Sequence, residues 1–426
     1  MPDLKHLARR LPGKGALRGA LRRAFLFLAI IGPGLITASA DNDAPGIATY
    51  SMAGSRYGYA FLWVLLWITL GEALVQEMAA RMGTVTGKGL TDLIREKYGL
   101  RLTVVVMLCL LVANLGTTAA QFAGVASSAE LFGVTRYIGV PIVAGLVWLL
   151  VTRGTYRVVE KVLLAISLYA VAYIASAFMA KPDWGQVLRS AIVPQLQGGR
   201  DYMLALLATV GTTITPWAAV YMQASVADRR TPKERYGETR LDVVFGAAIG
   251  NVVSAFIVIC TAATLHPLGI AVETAEEAAM ALAPAAGAWA QTLFGIGLMG
   301  ASLLAVSVLP LATTYALCEA FGWERGLDHK PSEAPIFYGL YIGILVVSAA
   351  LVLIPGIRLF PLMWLSQVAN AVLLPVILLL MLQLANSKRI MRSWRNGALQ
   401  NTLVSLLAVA VVVATVVMIT SGQAAG

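Results

Sequence analysis

The segment Asp41-Asn42-Asp43-Ala44-Pro45-Gly46 interrupts a largely apolar run from Phe25 to Trp67 and carries a carboxylate. A carboxylate at mid-membrane depth costs about 2.5–3.5 kcal/mol on insertion scales, so its default meaning is function. A second polar interruption, Thr212-Thr213-Ile214-Thr215-Pro216, falls about halfway along the chain. Pro45 and Pro216 lack an N–H, which frees carbonyls one turn earlier. The half-helix before each break therefore offers the negative end of its dipole. Interrupted helices at matching places in two halves point to a midplane substrate site between inverted repeats.

The elements that must position these groups are membrane helices. Apolar residues make up 58% of the 426 positions and charged residues 13%. With a mean hydropathy of +0.77 the chain is too hydrophobic for a soluble domain. Eleven apolar stretches are near the ~20 residues a span needs: 25–53 (broken), 59–80, 102–128, 137–152, 159–180, 202–226 (broken), 243–265, 288–320, 336–355, 360–385 and 399–421. The expected fold class is an all-α integral membrane protein with about 11 transmembrane helices, the first and sixth broken. Residues 1–24 form a basic cytoplasmic segment. Residues 25–385 form the core, divided into repeats at 25–180 and 200–385, and 386–426 hold a cytoplasmic loop and the eleventh helix.

A net charge of +10 invites a nucleic-acid reading, but its distribution argues against one. Of the 32 Lys and Arg residues, 26 lie in the N-terminal segment and the even-numbered connections; the six others are Arg56, Arg136, Lys181, Arg189, Arg200 and Arg358. This alternation is the positive-inside pattern. It gives a multi-pass protein of the cell membrane with a cytoplasmic N-terminus and an external C-terminus. The basic start, the apolar run and Ala38-Ser39-Ala40 imitate a secretory signal, yet Gly32-Pro33-Gly34 interrupts the supposed apolar core of one, and cleavage would remove half of the broken helix. Cys109, Cys260 and Cys318 are scattered through different spans and read as small core residues. His6, His266 and His329 form no ligand pattern, so a histidine-built metal site is not expected.

The segment from Gly32 to Thr49, with GPG followed by the break Asp43-Ala44-Pro45-Gly46 and then Ala48-Thr49, resembles the first helix of the Nramp family of divalent metal transporters. Further matches follow in order over about residues 25–385: Ala80-Arg81-Met82-Gly83 with Thr86-Gly87-Lys88, Arg240-Leu241-Asp242, Leu282-Ala283-Pro284 with Gly287, Leu365-Ser366-Gln367, and Leu374-Pro375. The resemblance implies two inverted five-helix repeats of the leucine-transporter type, with helices 1 and 6 unwound around a metal ion. It places Asp43 on the metal-binding aspartate. It also implies ligation by the backbone carbonyls of Ala40 and Thr212, and approach of Gln367 to the ion in the occluded state. The metal is cargo, and no cofactor is expected; the partners are the ion and the lipid bilayer, while the oligomeric state is not readable.

Departures from the family pattern carry the finer reading. Thr215-Pro216-Trp217 stands where typical members have Met-Pro-His, so the soft thioether is replaced by a hydroxyl and the chemical reason to reject Mg2+ is gone. Gly46 replaces an asparagine, which removes another side-chain oxygen and leaves room for the waters that Mg2+ tends to keep. Thr118 and Gln121, in the stretch that begins at Asn114, occupy the places of an Asp and a Glu, and Trp217 that of a histidine; a proton relay needs titratable groups there. Together these changes resemble the Nramp-related magnesium transporters, a branch taken to carry Mg2+ or Mn2+ without coupled protons.

Other candidates have two readings each. Asp41 lines the vestibule, caps the second half of the first helix or shares the ion. Thr215 either binds the ion or satisfies a freed carbonyl, and Gln367, near Asn370, either binds it or bonds between helices. Glu72 is a candidate vestibule carboxylate or proton site. Glu77 with Arg81 reads as an i,i+4 ion pair at the cytoplasmic end, and Glu160 and Asp242 as helix-end charges. An organic-solute transporter of the same superfamily is the main rival, but Asp43 would repel a substrate carboxylate. A channel would need an oligomeric ring. No nucleophile elbow or HExxH motif supports an enzyme.

Overall fold

Proline in the first turn of a helix gives up an N–H that would have no partner anyway, and both breaks use it that way. The structure, a computed structural model, describes residues 42–152, 170–229, 232–326 and 330–423. Helix α1 (Ala44–Tyr57) begins with Pro45 in its first turn and leads through a 3-10 turn, Gly58–Phe61, into α2 (Leu62–Thr86). Helix α3 (Leu90–Leu131) bends at Gly99, whose φ of 78° only glycine adopts freely. The arm before the bend was missed in the span read at 102–128, because Arg95, Glu96 and Lys97 break the apolar pattern. Then follow α4 (Arg136–Thr152), α5 (Ala170–Met179) and α6 (Trp184–Ile192).

The sixth span divides as expected into α7 (Arg200–Thr213) and α8 (Pro216–Asp228), with Ile214 and Thr215 between them. After α9 (Tyr236–Thr264) come the short turns Ala275–Met280 and Ala283–Ala286, then α10 (Ala290–Phe321), α11 (Pro335–Val352), α12 (Leu359–Ala385) and α13 (Ala398–Gln423). No strand occurs among the described residues, and eight helices or helix runs in them are long and apolar enough to cross a membrane. Ala40, Asp41, Glu160, Lys161, His6 and His329 lie outside the described residues.

The centre is α3, whose residues from Thr117 to Ala129 are all buried. Small residues let backbones approach where no aqueous hydrophobic effect drives helices together. A Cβ on Gly124 would sit 2.2 Å from the Ala44 Cβ, so the start of α1 presses directly on α3. A Cβ on Gly211 would meet the Gln367 carbonyl at 1.9 Å, so α7 touches α12 just before the second break. At the other end of α2 the expected pair is present, with Arg81 Nε 3.1 Å from Glu77 Oε1, but it is buried and part of a larger clamp. Arg81 also donates to the Trp394 carbonyl at 2.7 Å, Asn396 Oδ1 at 2.5 Å and Gln400 Oε1 at 2.8 Å, while Tyr236 donates to Glu77. One guanidinium thus fastens α2 to the loop before α13 and to α13 itself.

Candidate cation site at the helix breaks

Asp43 is the N-cap of α1. Its extended backbone (φ −73°, ψ 178°) lets Oδ1 accept the Gly46 N–H at 2.9 Å, which satisfies one of the donors left open at a helix start. Oδ2 accepts from Gln121 Nε2 on α3. The carboxylate is buried and keeps two neutral donors. Gly46, expected as the position of a missing side chain, contributes its backbone N–H. Gln121, expected along the pathway, reaches the carboxylate itself, and Gly124 one turn on sets how closely α3 can come.

Asn42, given no role in the sequence reading, anchors the break to α9. Its Nδ2 donates to the Gly250 carbonyl at 3.1 Å, and its Oδ1 accepts from Ser254 Oγ at 3.1 Å. The neighbouring Asn251 donates to Glu72 Oε2 at 2.5 Å. Glu72 is buried, and a polar stretch of α9 links it to the residue beside Asp43. The signal available in the sequence was the pair Asn251 and Ser254 in an otherwise apolar span.

At the second break the Ile214 N–H closes α7 on the Val210 carbonyl at 2.8 Å, and Thr215 starts α8 without a side-chain cap. Thr213 donates to the Thr209 carbonyl, so the 2.9 Å contact between Tyr50 and Thr213 has the tyrosine as donor; it ties α1 to the end of α7. Tyr50 is another residue the sequence reading missed. Thr212 is buried. The Thr215 hydroxyl is buried with no hydrogen-bond partner, so it does not satisfy a freed carbonyl.

The remaining candidates form uncharged links around this core. Thr118 donates to the Asn114 carbonyl at 2.7 Å, and Asn114 Nδ2 donates to Thr313 of α10 at 2.8 Å. Asn370 bridges within and between helices, donating to Gln367 Oε1 at 3.1 Å and to Thr117 on α3 at 3.0 Å. Gln367 turns its own amide to Ser366 at 2.9 Å; among the described residues no hydrogen bond joins it to Asp43. Trp217 packs its indole among Leu304, Val308, Leu309 and Ala312 of α10. Three neutral oxygens, Asn114 Oδ1, Gln121 Oε1 and Thr215 Oγ1, are buried with no hydrogen-bond partner among the described residues. Among the described residues no three His, Cys, Asp or Glu side chains converge, which leaves Asp43 with amides and hydroxyls in place of a closed ligand cage.

A helix break beside the buried carboxylate of Asp43, in a bundle of membrane-spanning length, defines a transporter of the broken-helix, inverted-repeat class. The chain belongs to the Nramp family: the family model described as "Natural resistance-associated macrophage protein-like" matches residues 34–421. It is 27% identical over 420 residues to the divalent metal cation transporter MntH of Verminephrobacter eiseniae, covering 95% of this chain and 92% of that one. The fold is similar to that of the manganese transporter of Eremococcus coleocola (TM-score 0.71, 22% identity, 97% of this chain and 94% of that one). It is also similar to a nucleobase-cation-symport-1 family transporter in a closed conformation (TM-score 0.57, 14% identity, 92% of both chains).

Proposed function

We propose that this divalent metal cation transporter of the Nramp type takes up Mg2+ across the cytoplasmic membrane by alternating access, also carries Mn2+, and does so without coupled protons. The observation that carries the reading is the donor set: one carboxylate, Asp43, held by the Gln121 amide, with a partnerless hydroxyl at Thr215 where the family pattern has a thioether. Oxygen donors suit Mg2+ and Mn2+ alike, and without a sulfur ligand the site gives a transition metal no special advantage. Mg2+ dehydrates reluctantly, and the unpaired oxygens of Asn114, Gln121 and Thr215 are acceptors for its waters. Asp43, Gly46, Thr215, the carbonyls of Ala40 and Thr212, and in the closed state Gln367 are the proposed ligands; Asp41, Glu72, Asn370 and Trp217 border the path.

Absence of proton coupling is supported by the neutral Gln121 amide on Asp43 and by the hydroxyls and amides at Thr118, Asn114 and Asn370, which neither lose nor gain a proton. Trp217 fills the corresponding place beside α10 with an indole. Uptake is then driven by the membrane potential, which favours entry of a dication by about 4.6 kcal/mol per 100 mV. The basic-residue asymmetry supports a cytoplasmic N-terminus and an external C-terminus, and residues 25–180 and 200–385 are the repeats proposed to rock around the ion.

The experiment is flux into proteoliposomes that contain a Mg2+ dye or a pH dye, under a set membrane potential and with Mn2+ as competitor. Mg2+ entry with an unchanged internal pH supports the proposal. Acidification in step with metal entry, or Mn2+ entry without Mg2+ entry, replaces it with the proton-coupled Mn2+ reading; manganese is the ion named for the Eremococcus coleocola transporter.

A further inference from the structure

We infer that a cleft between α2, α7 and α13 holds one acyl chain of a bilayer phospholipid. The cleft encloses about 540 Å3. Its floor is buried, with Val64 and Ile68 of α2, Val210 of α7 and Val411 of α13 all 4% exposed or less. Its rims face outward: Trp67 is 56% exposed and Leu406 59%. No charged residue lines it.

Length and an uncharged lining select the occupant. On α2 the lining runs from Trp63 to Leu74, which at 1.5 Å per residue is about 16 Å. Half of a ~30 Å hydrocarbon core is about 15 Å, so the cleft spans the tail region of a single leaflet. That leaflet is the one at the Leu62 end of α2, external on the orientation proposed above. A single hydrocarbon tail needs no hydrogen-bond partner, and none of the lining offers a charge to one.

Depth gives the cleft its interest. Gly71 lies in it, and a Cβ there would stand 3.1 Å from Leu407 of α13 and 3.3 Å from Ile214, the residue inside the second break. Val210, on the floor, is the acceptor that closes α7 just before that break. The inner end of the tail therefore rests against the interrupted helix at the level of the ion site.

The test uses full-length protein in vesicles doped with phosphatidylcholine that carries a diazirine along one acyl chain, followed by irradiation and peptide mapping. Adducts at Met203 and Leu206 should saturate and be displaced at least fivefold by unlabelled lipid, while adducts at Val346, 59% exposed on α11, rise in proportion to the probe. Ala410→Trp with Ala414→Phe, which fills the cleft, should abolish the first set and spare the second. Linear labelling at both places in the wild-type protein overturns the proposal whether or not the variant folds, as does undiminished labelling of the filled variant. Cross-links between the α13 helices of two copies, with no lipid adducts, would assign the cleft to a second copy of the chain and likewise overturn it.

Discussion

Replacing Asp43 by asparagine keeps the shape of the side chain and removes its charge, so it isolates what the carboxylate does for the ion. A dication about 4 Å away, at the distance of a shared water, is attracted to the carboxylate by about 8 kcal/mol at an effective dielectric near 20. If a third of that survives desolvation, about 2.7 kcal/mol, apparent affinity falls about 100-fold. The fold should be spared. The new amide still accepts the Gly46 N–H through its oxygen, and its NH2 meets Gln121, whose Oε1 has no other partner and can turn to receive it. Thermal unfolding of the solubilised variant should thus lie within a few degrees of wild type, while the KM for Mg2+ and Mn2+ flux rises about 100-fold or flux vanishes. A KM within threefold of wild type at normal flux would refute Asp43 as the principal ion charge.

Thr215→Met adds a soft ligand at the second break and should shift preference toward Mn2+ about tenfold, or about 1.4 kcal/mol, in competition flux assays. Gln121→Leu removes a donor from a charged acceptor, worth about 1.5–3 kcal/mol, and should raise the KM for Mg2+ about tenfold or more without creating a pH dependence in flux. Gly211→Val forces a side chain toward the Gln367 carbonyl and should lower thermal stability by about 1–3 kcal/mol; Gly116→Ala, in open space, should not. Arg81→Ala strands Glu77 in the interior, at a cost of about 3–5 kcal/mol read as lost thermal stability. Arg81→Lys should recover little of it, because one ammonium cannot reproduce the guanidinium fork.

Both breaks were legible because each joins a proline, which suits a helix's first turn, to polar residues in an apolar run: Pro45 beside Asp43 and Pro216 beside Thr215. Gln121 was legible as a replaced residue but not as the partner of Asp43, since 78 residues separate them. The Asn42 anchor was not legible at all. It joins residues 208 apart, and the sequence gives no register between the first break and α9. The Glu77–Arg81 pair was read from its i,i+4 spacing, yet its burial depends on Trp394, Asn396 and Gln400, more than 300 positions away. Local chemistry announced the site, and tertiary packing decided which neutral groups face it.

Asp43 spends one oxygen on starting the helix it precedes. Were an ion held by Asp43, as proposed, to draw that oxygen off the Gly46 N–H, the first turn of α1 would lose its cap. Loading and capping would then compete for one side chain, with the better-capped α1 in the emptied carrier. An ion that kept its waters and left the carboxylate undisturbed would weaken that cap little, whereas one that stripped its shell and gripped Asp43 would unravel more of the turn. The start of α1 would thereby register how tightly a cargo is held.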